Sequence, residues 1–280
     1  MTQQVLLTEC QDRPGLIAAI SDLCFKNELN VIKNNEFVDP QSNTFFMRTV
    51  FETKSSFDDV KFLNELQKTL PDFSKCRIAN KKPKRLVIMA TTEAHCLGDL
   101  LMKNYIGTLD VEIAAVISNH RVLEPLVKKF DIPFHFISHE KLTRTRHEEL
   151  LLEQIQKYQP DILVLAKYMR ILSEQFVSHF PNRMVNIHHS FLPAFVGANP
   201  YRQAFERGVK MIGATAHFVT HELDQGAIIQ QDVIHVDHSY QPEKLARAGQ
   251  ELEESVLLKA LQLVIREKVF VLGNRTVVFS

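Results

Sequence analysis

Asn80-Lys81-Lys82-Pro83-Lys84-Arg85-Leu86-Val87-Ile88-Met89-Ala90 is the stretch on which the reading of the fold turns. Its first six residues are polar and basic and include a proline, the composition of an exposed connector. Such a basic patch could touch phosphate, but a solvated linker accounts for it more simply. The next five residues are continuously apolar, as a strand buried on both faces must be. The chain therefore divides into a first domain at 1–80, a linker at 81–85 and a second domain at 86–280.

Downstream the apolar run recurs. Ile113-Ala114-Ala115-Val116-Ile117 and Ile162-Leu163-Val164-Leu165-Ala166 are each followed by helix-compatible sequence. Buried strands alternating with helices predict a mostly parallel, doubly wound α/β sheet, which binds ligands beyond the carboxyl ends of its strands. A charge-rich helix is expected over 242–268. A hairpin follows, from Val269–Leu272 through the turn Gly273-Asn274 to Arg275–Phe279.

Upstream, Val5-Leu6-Leu7 ends at Asp12-Arg13-Pro14-Gly15, and Leu16, Ile17, Ile20, Leu23 and Cys24 then recur at helical spacing. Val31 to Val38 and Phe45 to Phe51 read as strands. Phe62, Leu63, Leu66 and Leu70 mark a second helix before Pro71, and Phe73 to Ala79 supplies a last strand. The order β-α-β-β-α-β is that of a ferredoxin-like sandwich.

Composition narrows the function classes. Thirty-three basic and 33 acidic residues cancel, which argues against nucleic acid or an anionic membrane as the main partner. No apolar run reaches about 18 residues, and Met1-Thr2-Gln3-Gln4 lacks the basic start of a signal peptide, so a cytoplasmic protein is expected. Cys10, Cys24, Cys76 and Cys96 are scattered without a Cys-x-x-Cys pair and read as reduced thiols.

Chemistry concentrates in Met184-Val185-Asn186-Ile187-His188-His189-Ser190-Phe191-Leu192-Pro193, a strand broken at a proline. Residues two apart on a strand face the same way, so Asn186 and His188 project together. An amide donor beside an imidazole can hold a carbonyl oxygen as it becomes anionic. The plain alternative is a polar pair satisfying a strand end. Asp224 lies in a loop closed by Gly226; it is either a turn residue or the carboxylate that orients the imidazole and positions water. His188, His189, His217, His221, His235 and His238 could compete as metal ligands, but no helical His-Glu-x-x-His is present, and no metal is expected. Ser190 lacks the Gly-x-Ser-x-Gly setting of a nucleophile.

The runs NIHHSFLPAFVGANPY (186–201) and GATAHFVTHELDQGAIIQQDVIHVDH (213–238) resemble the folate-dependent formyltransferase family, most closely its hydrolytic branch. AHCLGDLL (94–101), LAKYMRIL (165–172) and the terminal GNRT extend the resemblance over nearly the whole chain. It implies a catalytic trio on Asn186, His188 and Asp224, with 10-formyltetrahydrofolate and water as the reactants and no cofactor. The pterin would lie along Lys167, Tyr168, Met169, Arg170, Ile171 and Leu172, although Met169, Ile171 and Leu172 could equally be core. His189, His217 and Glu222 complete the expected substrate contacts.

The segment around Asp12-Arg13-Pro14-Gly15-Leu16-Ile17 resembles an ACT domain. That likeness implies a possible amino-acid effector at Asp12, Gly15, Leu16 and Asn34, and a homo-oligomer, dimer or tetramer; a purely assembling role is the alternative. In the transferases of the family, a glycine-rich loop after the first strand surrounds the acceptor's phosphate. Here Thr91-Thr92-Glu93-Ala94-His95-Cys96-Leu97-Gly98 lacks the glycine cluster, Glu93 would repel a phosphate, and His189 stands where the transferase pattern has proline. Both features favour water over an amine as acceptor; an amine formyltransferase or a non-catalytic sensor are the rival readings. What fills the space near Glu93 and His95 is left open.

Overall fold

The computed structural model describes residues 2–54, 57–79, 82–194 and 200–279. Asn80 and Lys81 of the expected linker, and residues 195–199 of the quoted motif, lie outside the described residues. The chain divides into two units, Met1–Lys82 with Val278–Ser280, and Pro83–Val277.

The first unit runs β1 (Thr2–Gln11), α1 (Leu16–Lys26), β2 (Asn30–Asp39), β3 (Thr44–Thr53), α2 (Asp59–Thr69) and β4 (Lys75–Ala79). Its sheet, in the order β2-β3-β1-β4, is antiparallel throughout. This is the βαββαβ order read from the sequence. The helical periodicity has a direct cause: Leu16, Ile20, Leu23 and Cys24 of α1 and Phe62 and Leu66 of α2 bury against Leu6, Phe45, Met47 and Phe51 of the sheet. Gly15 precedes α1 with φ 89°, a left-handed backbone that glycine adopts freely.

The second unit opens with β5 (Lys84–Ala90), α3 (His95–Tyr105), β6 (Val111–Ser118), α4 (Glu124–Lys128), β7 (Phe134–Phe136), α5 (Arg144–Gln156) and β8 (Ile162–Leu165). It continues with α6 (Glu174–Ser178), β9 (Met184–His188), α7 (Pro200–Glu206), β10 (Met211–Phe218), β11 (Ile228–His235), α8 (Pro242–Ile265), β12 (Val269–Leu272) and β13 (Arg275–Val278). The seven-stranded sheet has the order β11-β10-β9-β8-β5-β6-β7. Strands β5 to β9 are parallel, and β10 and β11 continue it antiparallel. Alternate residues of β5 feed two cores. Leu86, Ile88 and Ala90 pack with α3 and α8, whereas Val87 and Met89 pack with α5 and Phe176.

Two boundaries differ from the sequence reading. Lys84 and Arg85 already belong to β5, because the strand edge offers carboxylates to their charges: Lys84 Nζ lies 2.8 Å from Glu267 and the Arg85 guanidinium 3.1 Å from Glu112. Helix α8 stops at Ile265, and Glu267 takes a left-handed φ of 53° that ends it. No helix among the described residues is long and apolar enough to cross a membrane.

Two glycines set the geometry around the carboxyl ends of β8 and β9. Gly249 in α8 lets the Tyr201 ring lie across the helix, where an added Cβ would come within 2.2 Å of the ring. Gly226 lets the β10–β11 loop fold back onto β10: a Cβ there would meet the Phe218 carbonyl oxygen at 1.6 Å. The Phe218 N–H donates to the Ala227 carbonyl across the same closure. Gly226→Ala is therefore expected to destabilise the fold by about 1–3 kcal/mol, as forced overpacking does. A lowered melting temperature by calorimetry checks it, and an unchanged one refutes the close approach.

Candidate active site

Strand β9 is short and pairs with β8 in parallel and with β10 antiparallel, so its side chains are fixed from both edges. Asn186 and His188 share one face. The register sets Asn186 opposite His217 and His188 opposite Thr215. His217 Nδ1 lies 2.8 Å from the Phe218 carbonyl oxygen, which can only accept, so Nδ1 carries the proton. Its Nε2 is then the acceptor for the Asn186 amide at 3.2 Å. Burial pushes the His217 pKa down, which keeps that acceptor unprotonated. His217 thus fixes which way the Asn186 amide points.

Asp224, in a left-handed backbone of φ 56° beside the Gly226 closure, brings Oδ2 to 3.3 Å from His188 Nδ1. Its Oδ1 is 3.7 Å from His217 Nε2, too far for a hydrogen bond. The hydrogen bond from His188 outweighs burial and holds the Asp224 carboxyl below the ordinary range. His188 Nε2 is buried and, among the described residues, meets no partner. The turn after β9 is pinned by Thr215, whose hydroxyl donates to the Ser190 carbonyl at 2.8 Å and accepts from the Leu192 N–H at 3.1 Å.

A second cluster lies behind the first. Glu253 of α8 is wholly buried and receives His95 Nε2 at 2.8 Å, Lys167 Nζ at 3.1 Å and the Tyr201 hydroxyl. Burial alone would push its pKa up, but the hydrogen bonds from His95 and Tyr201 and the Lys167 charge hold it at about 2. Lys167 Nζ also donates to His189 Nδ1 at 2.9 Å. Burial, with the Lys167 charge beside it, pushes the His189 pKa down to about 4. The space near Glu93 and His95, left open by the sequence, belongs to this cluster: His95 Nδ1 is 3.6 Å from Glu93.

Among the described residues one set of metal-type ligands converges, His95, Cys96 and Glu253. Its chemistry does not suit a cation, since Lys167 already holds Glu253 and burial pushes the Cys96 thiol well up. Of the six histidines weighed from sequence as rival metal ligands, His235 and His238 are exposed, and His235 pairs with Met211 at the opposite end of β10 from His217.

A cavity of about 570 Å³ joins these groups. Asn186, His188, Asp224, His189, His217, Glu222 and the run Lys167–Leu172 all line it. Met169 and Ile171 are 57% and 63% exposed, so the alternative that they are core is wrong for both. The Met169 N–H donates to Thr91 Oγ1 at 2.9 Å, which ties the run to the end of β5. Lys167 and Tyr168 are buried, and Glu222 is exposed at the rim. In the first unit, Leu16 is core, Asp12 and Gly15 flank the β1–α1 turn, and Asn34 accepts from Thr49 Oγ1 at 2.6 Å and donates to Glu36.

Sequence reasoning missed Glu253 and Tyr201. The signal for Glu253 was present: it lies on the buried stripe Gly249, Glu253, Val256, Ala260 of α8, where an unanswered carboxylate would be costly.

The formyl transferase family pattern matches residues 84–261. A formyltetrahydrofolate deformylase of Haemophilus influenzae is 56% identical over 276 residues, covering 99% of each chain. The solved structure of a formyltetrahydrofolate deformylase from Pseudomonas syringae pv. tomato superposes with a TM-score of 0.95 at 38% identity, covering 100% of this chain and 95% of that one. The solved glycinamide ribonucleotide transformylase 1 of Symbiobacterium toebii gives 0.68 at 30% identity, covering 72% of this chain and 96% of its own.

The site carries a pH signature in stability. His189 has an ordinary value of 6.5 when unfolded and about 4 when folded, so only the unfolded chain gains its proton between those values. Its contribution, roughly 3 kcal/mol, is present above pH 6.5 and is lost as the pH falls towards 4. Urea unfolding at pH 7, 5.5 and 4 is expected to follow that fall, with His189→Asn flattening it. An equally steep fall in the variant would remove His189 as the cause.

Proposed function

We propose that this chain, which belongs to the formyltetrahydrofolate deformylase family and hydrolyses 10-formyltetrahydrofolate to tetrahydrofolate and formate, does so through Asn186, His188 and Asp224. The observation that carries the assignment is the convergence on one cavity wall of an oriented amide, an imidazole with a free Nε2 and a carboxylate 3.3 Å from its Nδ1.

The formyl oxygen is held by the Asn186 amide and His188. Water oxygen attacks the formyl carbon, and the carbonyl electron pair moves onto the oxygen that these donors surround. Asp224 uses Oδ2 to hold His188 Nδ1–H and to stabilise the imidazolium, leaving Oδ1 to position the water. The bond from formyl carbon to N10 then breaks with its electron pair going to nitrogen. One proton of the water reaches N10 and the other is released as the formic acid ionises, so tetrahydrofolate, formate and a proton leave.

Lys167–Leu172 forms the pterin wall, with the exposed Met169 and Ile171 against the ring. The carboxylates of Glu93 and the buried Glu253, with Lys167 already paired to Glu253, support water as the acceptor, because acids at the head of α3 repel an acceptor's phosphate. The β1–α1 turn of the first unit takes an amino-acid effector: Gly15 is exposed, and α1 has no side-chain cap, so its first N–H groups are open to a carboxylate. The active form is a homo-oligomer working in the cytoplasm, where it balances the one-carbon pool and supplies formate for purine synthesis.

Asn186→Ala and His188→Ala are each expected to lower kcat about a hundred- to thousandfold with the fold intact. Formate release from 10-formyltetrahydrofolate, with no amine added, is the measurement; near-normal rates in both variants would sink the trio. The same assay with single amino acids added tests the effector site. At least one is expected to change the rate, and that response should be lost in Gly15→Val, whose left-handed φ a β-branched residue resists.

A further inference from the structure

The tautomer of His189 is dictated by its neighbour. Lys167 ends in an ammonium with three donors and no acceptor, so at 2.9 Å the His189 Nδ1 must be the acceptor and bears no proton. Its Nζ is also ion-paired, at 3.1 Å, with the wholly buried Glu253. A neutral imidazole with its lone pair at Nδ1 carries its proton at Nε2. That Nε2–H is buried, and no group among the described residues meets it. An unmet buried donor is costly, and such donors are kept where a ligand will answer them.

What stands beside it is His188. The two rings stack with centroids 5.0 Å apart and planes 12° from parallel, and both line the cavity. Each has Nδ1 engaged on the protein side, His188 with Asp224 and His189 with Lys167, and each has an Nε2 that no described residue partners. The difference is chemical. His188 faces a carboxylate at Nδ1, whereas His189 faces a cation there and stays a neutral donor. With no lone pair at Nε2, it cannot take a proton from water.

We propose that His189 is a further catalytic residue, whose Nε2–H donates, beside Asn186 and His188, to the formyl oxygen as it becomes anionic, and that Lys167 and Glu253 are the positioning residues that fix it as a donor. The inference rests on the assignment of Asn186, His188 and Asp224 above. A donor locked in place before the reaction needs no reorganisation when charge develops, which is the condition under which such groups lower a barrier most.

Three measurements decide it. His189→Phe keeps a ring and removes the donor: kcat is expected to fall about a hundredfold while KM stays within about threefold. His189→Gln returns an amide N–H near the Nε2 position and is expected to recover about tenfold of that loss. Nitrogen-15 NMR of histidine-labelled wild-type protein, with His189 assigned by its absence in His189→Gln, reads the tautomer independently of any variant's folding. A neutral Nε2–H form from pH 5 to 9 is expected. The inference is overturned if His189→Phe keeps kcat within about threefold, if Gln performs no better than Phe, or if the NMR shows the proton at Nδ1 or a titration near 6.5. An inactive His188→Ala beside an active His189→Phe would remove His189 and leave the trio standing. An active His188→Ala would remove the trio itself.

Discussion

A carboxylate with no exposed surface has to be answered by charge and by donors, and the second unit is arranged around that requirement at Glu253. Desolvating one ionised carboxylate costs several kcal/mol unless partners are held against it. Three elements deliver them: Lys167 from the end of β8, His95 from the start of α3 and Tyr201 from α7. Each reaches Glu253 from a different direction, so the elements that frame the cavity are tied to one point in α8. Removing Lys167 would leave a buried carboxylate without its counter-charge, a larger loss than the pair's own attraction.

The second constraint is the reversal of direction after β9. A sheet that stayed parallel would have sent the chain from β9 through a crossover helix directly into a neighbouring parallel strand. Here β10 returns antiparallel, which sets His217 directly across from Asn186 and Thr215 across from His188. One strand thereby supplies the chemistry-bearing side chains and its neighbour supplies the groups that orient them. The loop that follows then folds back, because Gly226 has no side chain, and brings Asp224 to the imidazole.

How much of this was legible depended on distance along the chain. The element order and the buried strands are local signals, and they were legible because apolar runs of five residues are too short for a helix and are bounded by turn residues. Asn186 and His188 were placed on one face by strand geometry alone. Asp224 was not: 36 residues separate it from His188 (224 − 188), and only the family likeness joined them. Glu253 was hidden by its setting, since α8 reads as a charge-rich helix and one acid among several does not announce that it faces inward. His217 was seen as a substrate contact, and its hold on the Asn186 amide depends on a single carbonyl, that of Phe218, that no pattern of residue types encodes.

Gly249 carries a consequence for anyone re-engineering this chain. Replacing a mid-helix glycine with alanine is among the most dependable stabilising substitutions, worth about 0.5–1 kcal/mol in an ordinary helix. In α8 that advantage is forgone, because the missing methyl is the slot through which the Tyr201 ring reaches Glu253. A thermostability screen guided by helix propensity alone would choose this position early. It would strengthen the helix in isolation while wedging apart two elements that meet over the cavity. Durability and activity are set against each other at one hydrogen atom.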